Sequence, residues 1–171
     1  MKNIKKIFCG EINKKFIISM LALLIFISFI FSFFIYYENQ KVNVIGFDKA
    51  VVENSSEISY FIDNIIVGEK SSSIQGWAIK PGEDIKVVEC YVVLNKVGSN
   101  KYLKLNTNIE KRLDLNSAFN DGYSYENGGF FAKILNEKLE KNCDYDIYIL
   151  YQNNNENYLI NTQRKLYTGE I

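Results

Sequence analysis

Histidine is absent from all 171 residues, proline and tryptophan occur once each, and cysteine occurs three times. Each scarcity removes a class of function. Without histidine there is no Ser-His-Asp or Cys-His nucleophile, no imidazole general base and no imidazole ligand for zinc. Cys90 and Cys143 are the only thiols beyond residue 37, and two sulfurs without imidazole make a poor metal site, so neither metal nor cofactor is expected. In an oxidising compartment these two thiols can join as a disulfide or stay as buried free thiols, since Cys packs as a small hydrophobe. A charge excess is lacking too. Lys and Arg number 20 against 20 Asp and Glu. Beyond residue 37 there are fifteen basic and nineteen acidic residues, a formal charge of −4. No basic face remains for nucleic acid, and no nucleic-acid motif is present.

What the chain does have is one long apolar run. Residues 16–37 read FIISMLALLIFISFIFSFFIYY, 22 residues without a charge. A helix needs roughly 20 such residues to cross a hydrocarbon core of about 30 Å. Lys2, Lys5, Lys6, Lys14 and Lys15 precede the run against Glu11 alone, whereas Glu38, Asn39, Gln40 and Lys41 follow it. The excess of Lys on the short side keeps the N-terminus in the cytoplasm and sends the remainder across the membrane. The run exceeds the apolar stretch of a signal peptide, and bulky Phe33, Phe34, Ile35, Tyr36 and Tyr37 stand where a cleavage site would need small residues. A retained single-pass plasma-membrane anchor is expected, with Tyr36 and Tyr37 as an interfacial belt. Ser28 and Ser32, four apart, would also allow close helix pairing.

The sequence thus divides into a cytoplasmic N-terminus (1–15), a transmembrane helix (16–37), a stalk (38–57) and one extracytoplasmic domain (58–171). The 134 residues after the span suffice for one domain with its own core. Alternating apolar residues punctuated by turns read as strands at 58–67, 73–80, 85–95, 101–107, 129–135, 145–151 and 158–162, with a last piece at 164–167. Lys80-Pro81-Gly82-Glu83-Asp84, Gly98-Ser99-Asn100 and the Asn-rich stretch 152–157 supply turns. Only 135–139 has helical spacing, enough for one turn. The expected fold is all-β, a sandwich of about seven strands after one transmembrane helix.

Candidate ligand-binding residues fall in three places. The single Trp77, between Gly76 and Ala78, either fills the space between sheets or offers a flat face for a sugar ring. Arg112, two residues before Asp114, either clamps a carboxylate or phosphate with its planar fork or pins a connection internally. Between Asn116 and Gly129 lies a stretch rich in Gly, Asn, Tyr and Ser, the composition of adaptable recognition loops. There Tyr123 and Tyr125 can turn their rings outward, and Asp114, Asn116, Asn120 and Asp121 offer oxygens to a sugar or to Ca²⁺. Asp144 and Asp146 have the spacing of a carboxylate pair, but a solvated strand face accounts for them. No residue is expected to be catalytic.

Ile74-x-Gly76-Trp77-Ala78, the strand ending Tyr91-Val92-Val93-Leu94, Arg112-x-Asp114, Asn127-Gly128-Gly129-Phe130 and Tyr145-x-Ile147-x-Ile149 occur in that order. Over residues 58–167 this resembles bacterial extracytoplasmic immunoglobulin-like domains, which often read GWA, RxDV and SGF at these places. Leu115 stands where Val is usual and Gly128 where Ser is usual. The resemblance implies an immunoglobulin-like sandwich and an accessory or binding role at the bacterial cell envelope, with no catalytic residues. The expected function is non-catalytic binding of envelope polysaccharide by a membrane-anchored domain. The alternative is a scaffold subunit of a polysaccharide-assembly or secretion complex, with another membrane protein as partner.

Overall fold

The structure, a computed structural model of the chain, describes residues 14–39, 42–45, 52–53, 56–85, 89–153 and 156–169. The basic segment 1–13 and the centre of the expected 152–157 turn lie outside the described residues. The chain forms two compact units, Met1–Asn39 and Gln40–Ile171.

In the first unit, helix α1 spans Lys14–Asn39. Its 26 residues extend about 39 Å at 1.5 Å per residue. Lys14–Glu38 contains an 18-residue window with a mean hydropathy of 2.7 and is, by length and composition, long and apolar enough to cross a membrane. Its large side chains are exposed, Phe29 at 71% and Phe33 at 70%. Within the helix, the Ser28 hydroxyl donates to the Ile25 carbonyl at 2.9 Å, so its polar group is satisfied locally.

The second unit is mostly β, with two sheets. Its strands are β1 (Asn43–Ile45), β2 (Val52–Glu53), β3 (Ser59–Val67), β4 (Ser71–Ile79), β5 (Glu89–Lys96), β6 (Tyr102–Lys104), β7 (Thr107–Glu110), β8 (Gly129–Leu135), β9 (Asp144–Asn153) and β10 (Glu156–Tyr167). A short helix, α2 (Leu113–Phe119), and one 3-10 turn, Asn136–Lys138, complete it. The larger sheet has the order β1-β6-β5-β9-β10-β2 and the smaller β3-β4-β8-β7. Pairing is antiparallel except for β2 beside β10.

Alternation creates the core. Ile62, Ile74, Phe130, Ala132 and Ile134 from the smaller sheet pack in one cluster with Val92, Leu94, Ile147, Ile149, Ile160 and Leu166 from the larger. Each fully buried Ile, Leu or Phe contributes about 1.5–3 kcal/mol relative to an exposed one. The expected alternation therefore appears as two sheets facing a shared interior.

Four expectations change. The described residues form ten strands rather than about seven. The expected strand at 101–107 is two, β6 and β7, in different sheets. Between them buried Leu105 donates its N–H to the Val92 carbonyl at 2.9 Å, and the Thr107 hydroxyl accepts from the Val92 N–H at 3.0 Å. These bonds hold the chain as it changes sheets, a step that alternation alone does not reveal. In the segment assigned to a stalk, residues 43–45 and 52–53 add strands to the larger sheet. Conversely, the pieces expected at 158–162 and 164–167 are one strand with an irregularity between Asn161 and Arg164, where Gln163 has φ 56°.

The thiols are far apart. Cys90 pairs with Tyr151 near one end of β9, while Cys143 immediately precedes its other end. Eight residues of strand place them about 26 Å apart. A disulfide requires Cα atoms within about 7 Å, so both remain free. Burial pushes the Cys90 thiol up to about 12, which leaves it unreactive.

Candidate functional site

The smaller sheet has an outer face, and α2 covers only part of it. Along β4, Ile74 and Ala78 point into the shared core, so Trp77 and Ile79 point the other way. Leu115 and Phe119, four residues apart in α2, lie over them, and Tyr125 completes this small second cluster. Trp77 therefore does not fill the space between the sheets. It lies half-buried on the outer face, with its ring 5.8 Å from that of Phe119 in an edge-on arrangement.

Beyond the edge of α2 the face is open. Phe61 is the cross-strand partner of Trp77 and is 57% exposed. Directly paired residues of adjacent strands share a face, with Cβ atoms about 5 Å apart. Phe61 and Trp77 thus form an aromatic ridge across β3 and β4. The row continues to Gly129 and Glu110, and the next row contains Asn64, Gln75, Phe131 and Asn108. Gln75 donates to the Glu110 carboxylate at 2.8 Å.

Arg112 crosses this face. A side chain at position 129 would meet the Arg112 stem at 2.6 Å, so Gly129 leaves the space that the stem occupies. From there Nη1 reaches Asp63 on β3 at 2.6 Å, while Nε and Nη2 engage both oxygens of Asp114 at 2.9 and 2.8 Å. The Arg112 N–H and carbonyl bond Glu126 and Leu115. Asp63 sits at the irregularity between Ile62 and Asn64, where a bulge re-aims the backbone. The fork therefore ties β3 to the start of α2. Hydrogen bonding by Asp114 raises the guanidinium well above its ordinary value, with Asp63 adding to this. In return, Arg112 holds the Asp114 carboxyl below the usual carboxylate range.

The Tyr-rich loop is arranged differently from the expectation. Its first part, Asn116–Phe119, belongs to α2. Tyr125 is fully buried rather than turned outward. Its hydroxyl donates to Asp121 at 2.6 Å and accepts from the Gly82 N–H at 2.7 Å, and its own N–H donates to Asn116 at 2.6 Å. A ring with no exposed face cannot stack on a ligand. The Tyr125 O–H also holds the Asp121 carboxyl below its ordinary value. Asn120, at φ 43°, closes α2 through its N–H to the Asn116 carbonyl. Tyr123 is 42% exposed.

Trp77 and Tyr125 therefore meet around Phe119, and Arg112 meets Asp114. The thiols do not meet. Phe61, Asp63, Gln75 and Glu110 were not singled out from the sequence. Phe61 carried a signal, because it interrupts the inward alternation of Ile58, Tyr60 and Ile62 with a large aromatic on the opposite face.

A groove of about 510 Å³ borders Glu69, Lys70, Leu135, Asn136, Glu137, Leu139 and Lys141, at the other end of the β4–β8 pair. Its buried Asn136 accepts from Ser72 and donates to the Gly68 and Glu69 carbonyls. That side chain secures the β3–β4 turn and has no donor left for a ligand. Among the described residues no group of three His, Cys, Asp or Glu side chains is placed to hold a metal. Asp144 and Asp146 each lie 3.8 Å from Lys165.

Comparison with protein-family models, curated proteins and solved structures finds no match.

Proposed function

We propose that this is a single-pass bacterial plasma-membrane protein, with its N-terminus in the cytoplasm, that displays an immunoglobulin-like sandwich and binds cell-envelope polysaccharide without catalysis. The observation that carries this reading is the Phe61–Trp77 ridge. It is a partly open pair of aromatic faces on a sheet, flanked by Gln75, Glu110, Asp63 and Asp114. Aromatic faces bury the C–H surface of sugar rings, while amides and carboxylates meet their hydroxyls. The strands on which the ridge stands are fixed by the core and by Arg112, so little ordering is lost on binding. Helix α1 and the lysines before it supply the anchor and its orientation.

The test is retention of the intact protein, in lipid nanodiscs, on purified envelope glycan. The Phe61→Ala, Trp77→Ala double variant is expected to lose at least tenfold in retention, measured below its melting point, which falls because Trp77 also packs against Phe119. Undiminished retention of the folded double variant would contradict the proposal. Capture instead of a specific membrane protein, lost when α1 is exchanged for another span, would favour the scaffold reading.

A further inference from the structure

We infer that the glycan held on the Phe61–Trp77 ridge is uncharged. The inference rests on the proposed function and adds the chemical class of ligand. An acidic polysaccharide needs a cation that can turn to meet it; among the described residues beside the ridge, Arg112 is engaged by two carboxylates and Lys111 pairs with Glu126 at 3.5 Å. All three nitrogens of the Arg112 fork bond to carboxylates: Nε and Nη2 to Asp114, and Nη1 to Asp63. These bonds use three of its five N–H groups, and the two carboxylates outweigh its single charge. An acidic sugar approaching the remaining N–H groups therefore meets Asp63 and Asp114 as well, and displacing either would leave a carboxylate without its partner.

The local charge points the same way. Asp63 and Asp114 outnumber Arg112, and Glu110 adds a further carboxylate to the row of Trp77. The ridge therefore lies in a field of negative sign, which repels polyanions and lowers their rate of encounter. Lys133 shares this face but pairs with Ser73, four residues along β4 from Trp77. That distance is about 13 Å along the strand, greater than the roughly 10 Å across two strands from Trp77 to Glu110, so Lys133 weighs least among these charges. Neutral sugars meet no such obstacle. Their hydroxyls can donate to the remaining lone pairs of Asp114, Asp63 and Glu110, each carboxylate having about four acceptor sites.

The probes are the neutral and anionic fractions of the source envelope polysaccharide, separated by anion exchange and presented to the intact protein in nanodiscs. The Trp77→Ala variant serves as the control. Binding that depends on Trp77 is expected in the neutral fraction, at least tenfold tighter than in the anionic fraction and little changed between 50 and roughly 300 mM salt. Trp77-dependent binding confined to the anionic fraction would overturn the inference and leave the proposed function standing. Trp77-dependent binding in neither fraction would overturn both.

Discussion

Replacing Gly76 by alanine is expected to lower the stability of the β domain by about 3 kcal/mol, the upper part of the usual range for forcing atoms into a packed core. A Cβ at this position would overlap the carbonyl oxygen of Phe61 and stand 2.8 Å from the end of the Phe130 ring. The first obstacle is backbone and cannot rotate away. The second is a fully buried ring packed among residues of both sheets. Gly76 also pairs with Ile62, immediately before the irregularity that carries Asp63, so a shift of β3 would loosen the ion pair of Arg112 as well. Thermal unfolding followed by near-ultraviolet circular dichroism gives the answer. A loss below about 0.5 kcal/mol, the range of ordinary surface substitutions, would mean that β3 and β4 are not so closely apposed.

Arg112→Ala has the second large effect, a loss of about 2 kcal/mol. It removes three charge-assisted hydrogen bonds and leaves Asp63, itself only 26% exposed at the side chain, without its cation. Arg112→Lys should recover less than half of the loss, because an ammonium cannot engage Asp114 with two parallel bonds and reach Asp63 together. The pH dependence has a defined sign. Arg112 holds the folded Asp114 carboxyl below its ordinary value of 3.8. Its contribution is therefore present above that value and fades as pH falls through the lower folded value. The parent protein should lose stability across this acid window, and Arg112→Ala should show a flatter profile there. Equal profiles, or full rescue by lysine, would show that the fork is not what holds β3 to α2.

Much of the fold was legible because its signals are local. The 22-residue uncharged run indicated the apolar helix directly. Alternation located β3, β4, β5, β8 and β9 to within a few residues, and the bounds of β8 coincide with those expected. Transitions between layers were harder to read. The chain crosses from β6 to β7 within two residues, and its direction depends on the bond between Val92 and Thr107, which are fifteen positions apart. Helix α2 was missed because seven residues containing Asn and Ser have little helical tendency of their own. It exists because Leu115 and Phe119 cover Trp77 and Ile79.

The candidate site was partly legible for the same reason. Trp77, Arg112 and Asp114 stand out by residue type, and the internal role foreseen for Arg112 as one of two possibilities matches its bonds to Asp63 and Asp114. Phe61 and Glu110 join them only through strand pairing. Tyr125 could not be assigned to the inside from composition, since Gly-Tyr-Ser-Tyr reads equally well as a surface loop. Its burial depends on Asp121, Asn116 and the Gly82 N–H accepting or supplying the three bonds that a buried tyrosine and its backbone require.

The most direct measurement follows from the chain having a single tryptophan. Indole fluorescence of the intact protein reports on Trp77 alone. Titration with the envelope polysaccharide that retains the protein should give a saturable blue shift as a sugar ring replaces water on the exposed part of the indole, and Phe61→Ala should weaken the half-saturation point at least tenfold. Unchanged emission at saturating retained glycan would place binding elsewhere on the protein and contradict the account of the outer face.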